Sequence, residues 1–167
     1  MKSILRTTVA GLAFASFGLA SPALAATDTA DAHAEILAAL SVNQVSDLDF
    51  GSIANNGAGG TANLSPASGA LSCSAGLICA ASGIRASFHV DGAANQPVSI
   101  SFTDSNIDLQ GPGATDLMPL ALSTVAGPFV LNGTGDLDFD VGGTLTVDPN
   151  ETAGTYIGTL EVVVLYN

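Results

Sequence analysis

The strongest fold signal lies in residues 154–167, which read GTYIGTLEVVVLYN. Apolar side chains recur with a period of two, so successive side chains are expected on opposite faces of an extended strand. One row comprises Leu160, Val162, Val164 and Tyr166, and the other comprises Ile157, Val163 and Leu165. This pattern predicts one long strand over 154–166 that is partly covered on both faces. At an open sheet edge such a strand is an aggregation hazard, so we expect it to be central or protected by a partner.

The same period recurs upstream and predicts a protein made of short strands. Leu137, Phe139 and Val141 alternate with acidic residues, and a second apolar row consists of Ile84, Ala86, Phe88 and Val90. Breaker pairs such as Asn56-Gly57 and Asp91-Gly92 separate the apolar runs. The predicted strands lie near 34–43, 47–53, 60–65, 84–91, 97–103, 117–123, 128–132, 136–147 and 154–166. We therefore expect an all-β fold, an immunoglobulin-like sandwich of about eight to ten short strands.

Residues 1–25 have the features of a secretory signal peptide. Lys2 and Arg6 give a positive start, 9–20 is apolar, and Ala23-Leu24-Ala25 fits a cleavage site. The alternative, a membrane anchor, would need about twenty apolar residues. We expect cleavage before Ala26, no membrane span in the mature chain, and export to the periplasm and then to the cell surface or beyond.

The mature chain is strongly acidic. Arg85 is its one strong base against fifteen carboxylates, which leaves a net charge of −14. Nucleic acid and anionic lipid are therefore excluded as expected partners. Solubility in an exposed location is the simplest reason for this charge, and a cation store is the alternative.

Cys73 and Cys79 are the two cysteines of the chain. In an oxidising compartment they are expected to form a local disulfide that pins a hairpin or a strand end. The alternative, a redox or metal pair, is disfavoured because the spacing is not Cys-x-x-Cys and no nearby histidine completes a ligand set.

Residues 26–36 differ from the rest because they are small and polar. Ala30, Ala32, Ala34 and Ile36 alternate with polar residues but offer little bulk to bury. This N-terminal extension is expected to be either disordered or an extended peptide that docks on another copy. Residues 37–167 form the single predicted domain.

Taken together, five segments resemble a family of small secreted bacterial proteins, domain of unknown function 4402, and more distantly spore coat protein U and the common-pilus subunits of archaic chaperone–usher systems. These segments are the alanine-rich start, 47–53, 84–92, 139–147 and 154–167. The chain end is also similar to the closing motif of pilins, with Gly154 fourteen positions from the last residue and Tyr166 as the penultimate aromatic.

The pilin resemblance implies an incomplete sandwich that a donor strand from a neighbouring subunit completes. It implies that Gly154, Leu160, Val162, Val164 and Tyr166 mark the acceptor groove. The donor row would be Ala30, Ala32, Ala34 and Ile36. Implied partners are other copies or related subunits, a periplasmic chaperone and an outer-membrane usher. The function expected is a fimbria-like structural or adhesive subunit, and the alternative is a monomeric secreted binding module.

No residue pattern indicates an enzyme or a cofactor. His89 and Asp91 share one strand face, but no Gly-x-Ser-x-Gly elbow presents a serine nucleophile. Asp136, Asp138 and Asp140 offer oxygen ligands suited to calcium. Alternate residues of a strand lie about 7 Å apart, so these three carboxylates cannot all reach one ion. A solvated acidic face is therefore the preferred interpretation.

Overall fold

The protein is described here by a computed structural model that covers residues 26–79 and 83–167. The predicted signal peptide lies outside the described residues. The chain divides into two units, Met1–Glu35 and Ile36–Asn167. In the first unit, residues 26–35 form neither helix nor strand and their side chains are exposed. A search of the described residues for a helix long and apolar enough to cross a membrane finds none.

The described part of the second unit is all-β, with twelve strands paired antiparallel. In chain order they are β1 (Ser41–Ser46), β2 (Ile53–Asn55), β3 (Gly60–Leu64), β4 (Leu71–Cys73), β5 (Leu77–Cys79), β6 (Ala86–Asp91), β7 (Pro97–Phe102), β8 (Asn106–Gln110), β9 (Leu117–Thr124), β10 (Phe129–Val130), β11 (Asp136–Val147) and β12 (Val162–Tyr166).

Strand β11 organises the larger sheet. Its first half pairs with β6, and its second half pairs with both β3 and β9. β1 extends the sheet beyond β6, β4 extends it beyond β3, and β8 extends it beyond β9. The predicted alternation is confirmed, since Phe139 and Val141 are buried whereas Asp138 is exposed.

A smaller sheet of order β10-β7-β12 supplies the other side of the core. Buried Val98 and Val164 of this sheet belong to the same apolar cluster as Val90 and Val141 of the larger sheet. Two apolar faces that bury each other give a β-sandwich. A short ribbon of β2 and β5 accompanies the two sheets.

The disulfide between Cys73 and Cys79 is confirmed. It joins the ends of β4 and β5 across the turn at 74–76. Because β4 belongs to the larger sheet and β5 to the β2–β5 ribbon, the bridge fastens the ribbon to the sandwich.

Four strand predictions are wrong, and the described residues form twelve strands where about eight to ten were expected. The strand predicted over 34–43 spans Ser41–Ser46, and the segment predicted over 47–53 holds only an isolated bridge at Asp49 and the first residue of β2. The terminal strand spans only Val162–Tyr166, because the preceding segment leaves the smaller sheet and bridges β8 through Ile157 and Gln110. Ile84 is not in the core row: it is 56% exposed and makes an isolated bridge with Asp49 ahead of β6. The short strands β4, β5 and β8 were not predicted at all.

Candidate functional site

One edge of β12 is open. In the ladder with β7, the Thr103 N–H donates to the Glu161 carbonyl over 3.2 Å, and the Asn167 N–H donates to the Pro97 carbonyl over 3.1 Å. Antiparallel pairing alternates, so the odd-numbered residues of β12 direct their main-chain groups at β7 and the even-numbered ones direct theirs away from it. Within the described residues, no strand other than β7 pairs with β12. The main-chain groups of Val162, Val164 and Tyr166 therefore face a vacant strand position.

The side chains of the same three residues point into the sandwich. Val164 is 8% exposed and pairs in register with Ile100, which packs on the core. The opposite face is solvated, since Leu165 is 58% exposed and lies across from Ser99. A strand added at this edge would thus present alternate side chains to the core and to solvent.

A cavity of about 450 Å³ opens beside the start of β12. Its floor is formed by Phe88 of β6, Leu109 of β8 and Leu120 of β9, and Leu160 lies at its rim. The further lining residues include Leu48, Phe50, Ile107, Gln44 and Tyr156. The cavity falls within the size range of ordinary ligand pockets, and its lining combines large apolar side chains with the polar groups of Gln44, Asp47 and Thr159.

The inner face of β1 is also uncovered. Val42 and Gln44 pair in register with Val90 and Phe88, so they point to the same side as these two core residues. Val42 is nevertheless 38% exposed, and Gln44 is exposed as well. Their exposure has a simple cause: the smaller sheet stops at β12 and does not extend over β1. We call the space between β1 and the open edge of β12 the groove.

Tyr166 closes one end of the groove. Its hydroxyl accepts a hydrogen bond from the Ala93 N–H over 2.6 Å and donates one to the Ala38 carbonyl over 2.8 Å. Leu40, just before β1, packs against the core nearby. The groove therefore runs from a closed end at Tyr166 and Ala38 to the cavity at Leu160 and Gln44.

The predicted acceptor residues are only partly brought together. Leu160 lines the cavity, and Val162, Val164 and Tyr166 form the open edge that continues from it. Gly154 lies against Pro112, outside the cavity lining and outside β12. Of the predicted donor row, Ala30, Ala32 and Ala34 lie in the non-regular segment 26–35, and Ile36 is 96% exposed. The acceptor and donor roles of these residues remain predictions.

The three aspartates of β11 do not converge. Asp140 bonds Arg85 Nη1 and Ser87 Oγ, at 2.8 and 2.5 Å, whereas an Asp138 oxygen lies 2.6 Å from His89 Nδ1. Asp136 lies 2.6 Å from the Thr134 hydroxyl. A different group, His89, Asp91 and Asp136, has its ligand atoms within 4.8 Å of one another. The hydrogen bond with Asp138, aided by the nearby Asp91 charge, raises the pKa of His89.

The sequence pattern did not reveal the cavity floor. Phe88 was expected in the core, but Leu109 and Leu120 are far from it in the chain, and β8 was not predicted. The only hint is Val42, an apolar residue that is 38% exposed although it pairs with the core residue Val90. Both its exposure and its pairing come from the structure and not from the sequence.

Among curated proteins and among solved structures, nothing matches this chain. The distant resemblance to spore coat protein U and to pilus subunits therefore stays a prediction. A family model described as "Domain of unknown function (DUF4402)" matches residues 40–166, which include all twelve strands of the described residues and every residue that lines the cavity. The chain thus belongs to this family.

Proposed function

We propose that the protein is an exported structural or adhesive subunit of a fimbria-like fibre, which assembles when the N-terminal extension of one copy adds to the open edge of β12 in another. One observation carries this proposal: Val162, Val164 and Tyr166 present main-chain groups beside the groove that no strand of the described residues pairs with. Strand addition at such an edge supplies main-chain hydrogen bonds, and alternate side chains enter the groove.

The chemistry of the extension suits this role. The apolar side chains of Ala30, Ala32, Ala34 and Ile36 would all lie on one face of an added strand, as a strand that packs on a core requires. Residues 26–35 are exposed and form no strand. Because alanine side chains bury little apolar area, the main-chain hydrogen bonds would supply most of the binding free energy. Related subunits, a periplasmic chaperone and an outer-membrane usher are the further partners that the pilin resemblance implies.

A second candidate function is that of a monomeric secreted module that binds a small apolar ligand. The volume of the cavity, about 450 Å³, favours it, since small-molecule pockets span roughly 300–1,000 Å³. In this case the groove would hold a compound rather than a strand.

The decisive experiment compares the chain that starts at Ala26 with one that starts at Leu37. Size-exclusion chromatography with light scattering should show oligomers for the first and monomers for the second. A synthetic peptide of residues 26–36, added to the shorter chain, should raise its melting temperature.

Two charge variants act as a matched pair. Val42→Glu places a carboxylate in the groove and should abolish assembly, whereas Leu165→Glu places one on the solvated face and should leave assembly intact. A longer chain that is monomeric at every concentration, together with a peptide that does not bind, would reject the proposal in favour of the ligand-binding module.

A further inference from the structure

The two ends of the groove differ in the space that they leave. At the cavity end, Phe88, Leu109 and Leu120 surround about 450 Å³, many times the roughly 30 Å³ that one water molecule occupies in the liquid. At the other end, the Tyr166 hydroxyl bonds the Ala38 carbonyl, and a Cβ at Gly92 would clash with this hydroxyl and with Leu40, so this end is crowded. An occupant therefore needs a large side chain at the Leu160 end and small ones towards Tyr166.

The extension has this asymmetry. Ile36 is its one large apolar side chain and is 96% exposed, so its own fold leaves it without cover. The other members of its row are Ala30, Ala32 and Ala34. The row thus has one large end and one small end.

Ile36 cannot reach the cavity of its own chain. It lies two residues before Ala38, which Tyr166 holds at the closed end, and two residues span at most about 7 Å. Leu160, at the cavity, lies six residues from Tyr166, or about 20 Å along an extended strand. The cavity that accepts Ile36 must therefore belong to another copy.

The lengths also agree. Residues 30–36 and 160–166 each contain four alternate positions, so the two rows can be placed opposite each other position by position. Matching the large end of the donor to the cavity then fixes the direction of the added strand.

We propose that the extension binds antiparallel to β12, with Ile36 of one copy in the cavity beside Leu160 of the next. In this register Ala34, Ala32 and Ala30 lie opposite Val162, Val164 and Tyr166. The inference rests on the proposed function, because it specifies the occupant of the same groove.

Cysteine trapping in the full mature chain tests the register. Copies carrying Leu160→Cys are mixed with copies carrying either Ile36→Cys or Ala30→Cys, and the intermolecular disulfide is detected by non-reducing electrophoresis and peptide mass mapping. A disulfide requires Cα atoms within about 7 Å. The antiparallel register predicts the link from position 36, whereas a parallel register predicts the link from position 30.

A second measurement covers the possibility that a cysteine variant fails to fold. Ile36→Ala should weaken self-association by at least about thirtyfold, because it removes most of the apolar area that the cavity would bury, while Ile36→Leu should preserve it. His33→Ala, in the row that faces away, should leave the association constant unchanged.

The outcomes separate the two proposals. A link from position 30, or assembly with no link from position 36, overturns the register but leaves strand addition standing. Equal assembly by Ile36→Ala and the parent chain overturns the anchoring role of Ile36. A parent chain that stays monomeric overturns both.

Discussion

If one edge of β12 is open, proline should destabilise the protein to different extents at two adjacent residues of this strand. Val163 directs its N–H at β7, whereas Val162 directs its N–H at the vacant edge. Proline lacks the N–H and is tolerated in strands only where that group is not needed. Val163→Pro should therefore destabilise the isolated subunit much more than Val162→Pro.

The magnitude follows from the groups that each change leaves unpaired. Val163→Pro removes one ladder hydrogen bond, with a net value of about 1 kcal/mol, and leaves the Ser101 carbonyl without its donor, at a cost of about 1–3 kcal/mol. Val162 and Val163 are both half-buried, so the burial that proline loses, about 1 kcal/mol, is common to the two variants. We expect a difference of about 3 kcal/mol, or roughly 9 °C in Tm.

Urea unfolding of dilute, monomeric protein measures the difference, and the slope of the transition checks that both variants unfold from the same state. Val162→Pro should also abolish assembly, because it removes an N–H that an added strand would use. Equal destabilisation by the two prolines would refute the reasoning, since it would show that the Val162 edge is already paired.

Three further perturbations have expected outcomes. Replacing both Cys73 and Cys79 with serine should lower the free energy of unfolding by about 2 kcal/mol, as loop-closure entropy gives for a loop this short. A reductant should lower the free energy of unfolding of the parent chain by the same amount and should leave that of the serine variant unchanged. The pKa of His89 is raised above 6.5, so the pairing of protonated His89 stabilises the fold fully below pH 6.5. This contribution is lost as the pH rises through the raised pKa. NMR titration should show a lower pKa of His89 in Asp138→Asn than in the parent chain. Because residues 26–167 carry a net charge of −14, assembly of this chain should be faster at about 150 mM than at about 10 mM salt, and slower assembly would indicate complementary charges at the interface.

The parts of the fold that were predicted correctly are those where one strand carries its own complete pattern. β11 was predicted as 136–147 and spans those residues, because its alternation resumes beyond Gly142 and Gly143, with Leu145 and Val147 in the same buried row as Phe139 and Val141. β6, β7 and β9 were likewise recognised within a few residues. β4 and β5 have three residues each, which is too short for a period of two to stand out.

The terminal segment shows where a local pattern misleads. Its two apolar rows predicted one strand partly covered on both faces, but Ile157 and Leu165 of the second row are 70% and 58% exposed, and the two halves of the segment join different sheets. Ile157 bridges β8 of the larger sheet, and only after Leu160 does the chain join β7 in the smaller one. The period of two is the same in both places, so the sequence cannot mark the point at which the chain changes sheets.

An open strand edge beside a groove is a hazard for any protein, because it can pair with unrelated strands. Two features of this chain reduce the hazard without closing the edge. The vacant edge of β12 is only five residues long and ends at Tyr166, whose hydroxyl bonds the Ala38 carbonyl. A foreign strand therefore finds few main-chain partners there. The strong negative charge keeps unrelated acidic chains and other copies apart until the contact is close. The shape of the groove then selects the segment that it binds. Such a segment must carry small side chains towards Tyr166 and a large one at the cavity, and residues 30–36 meet both requirements.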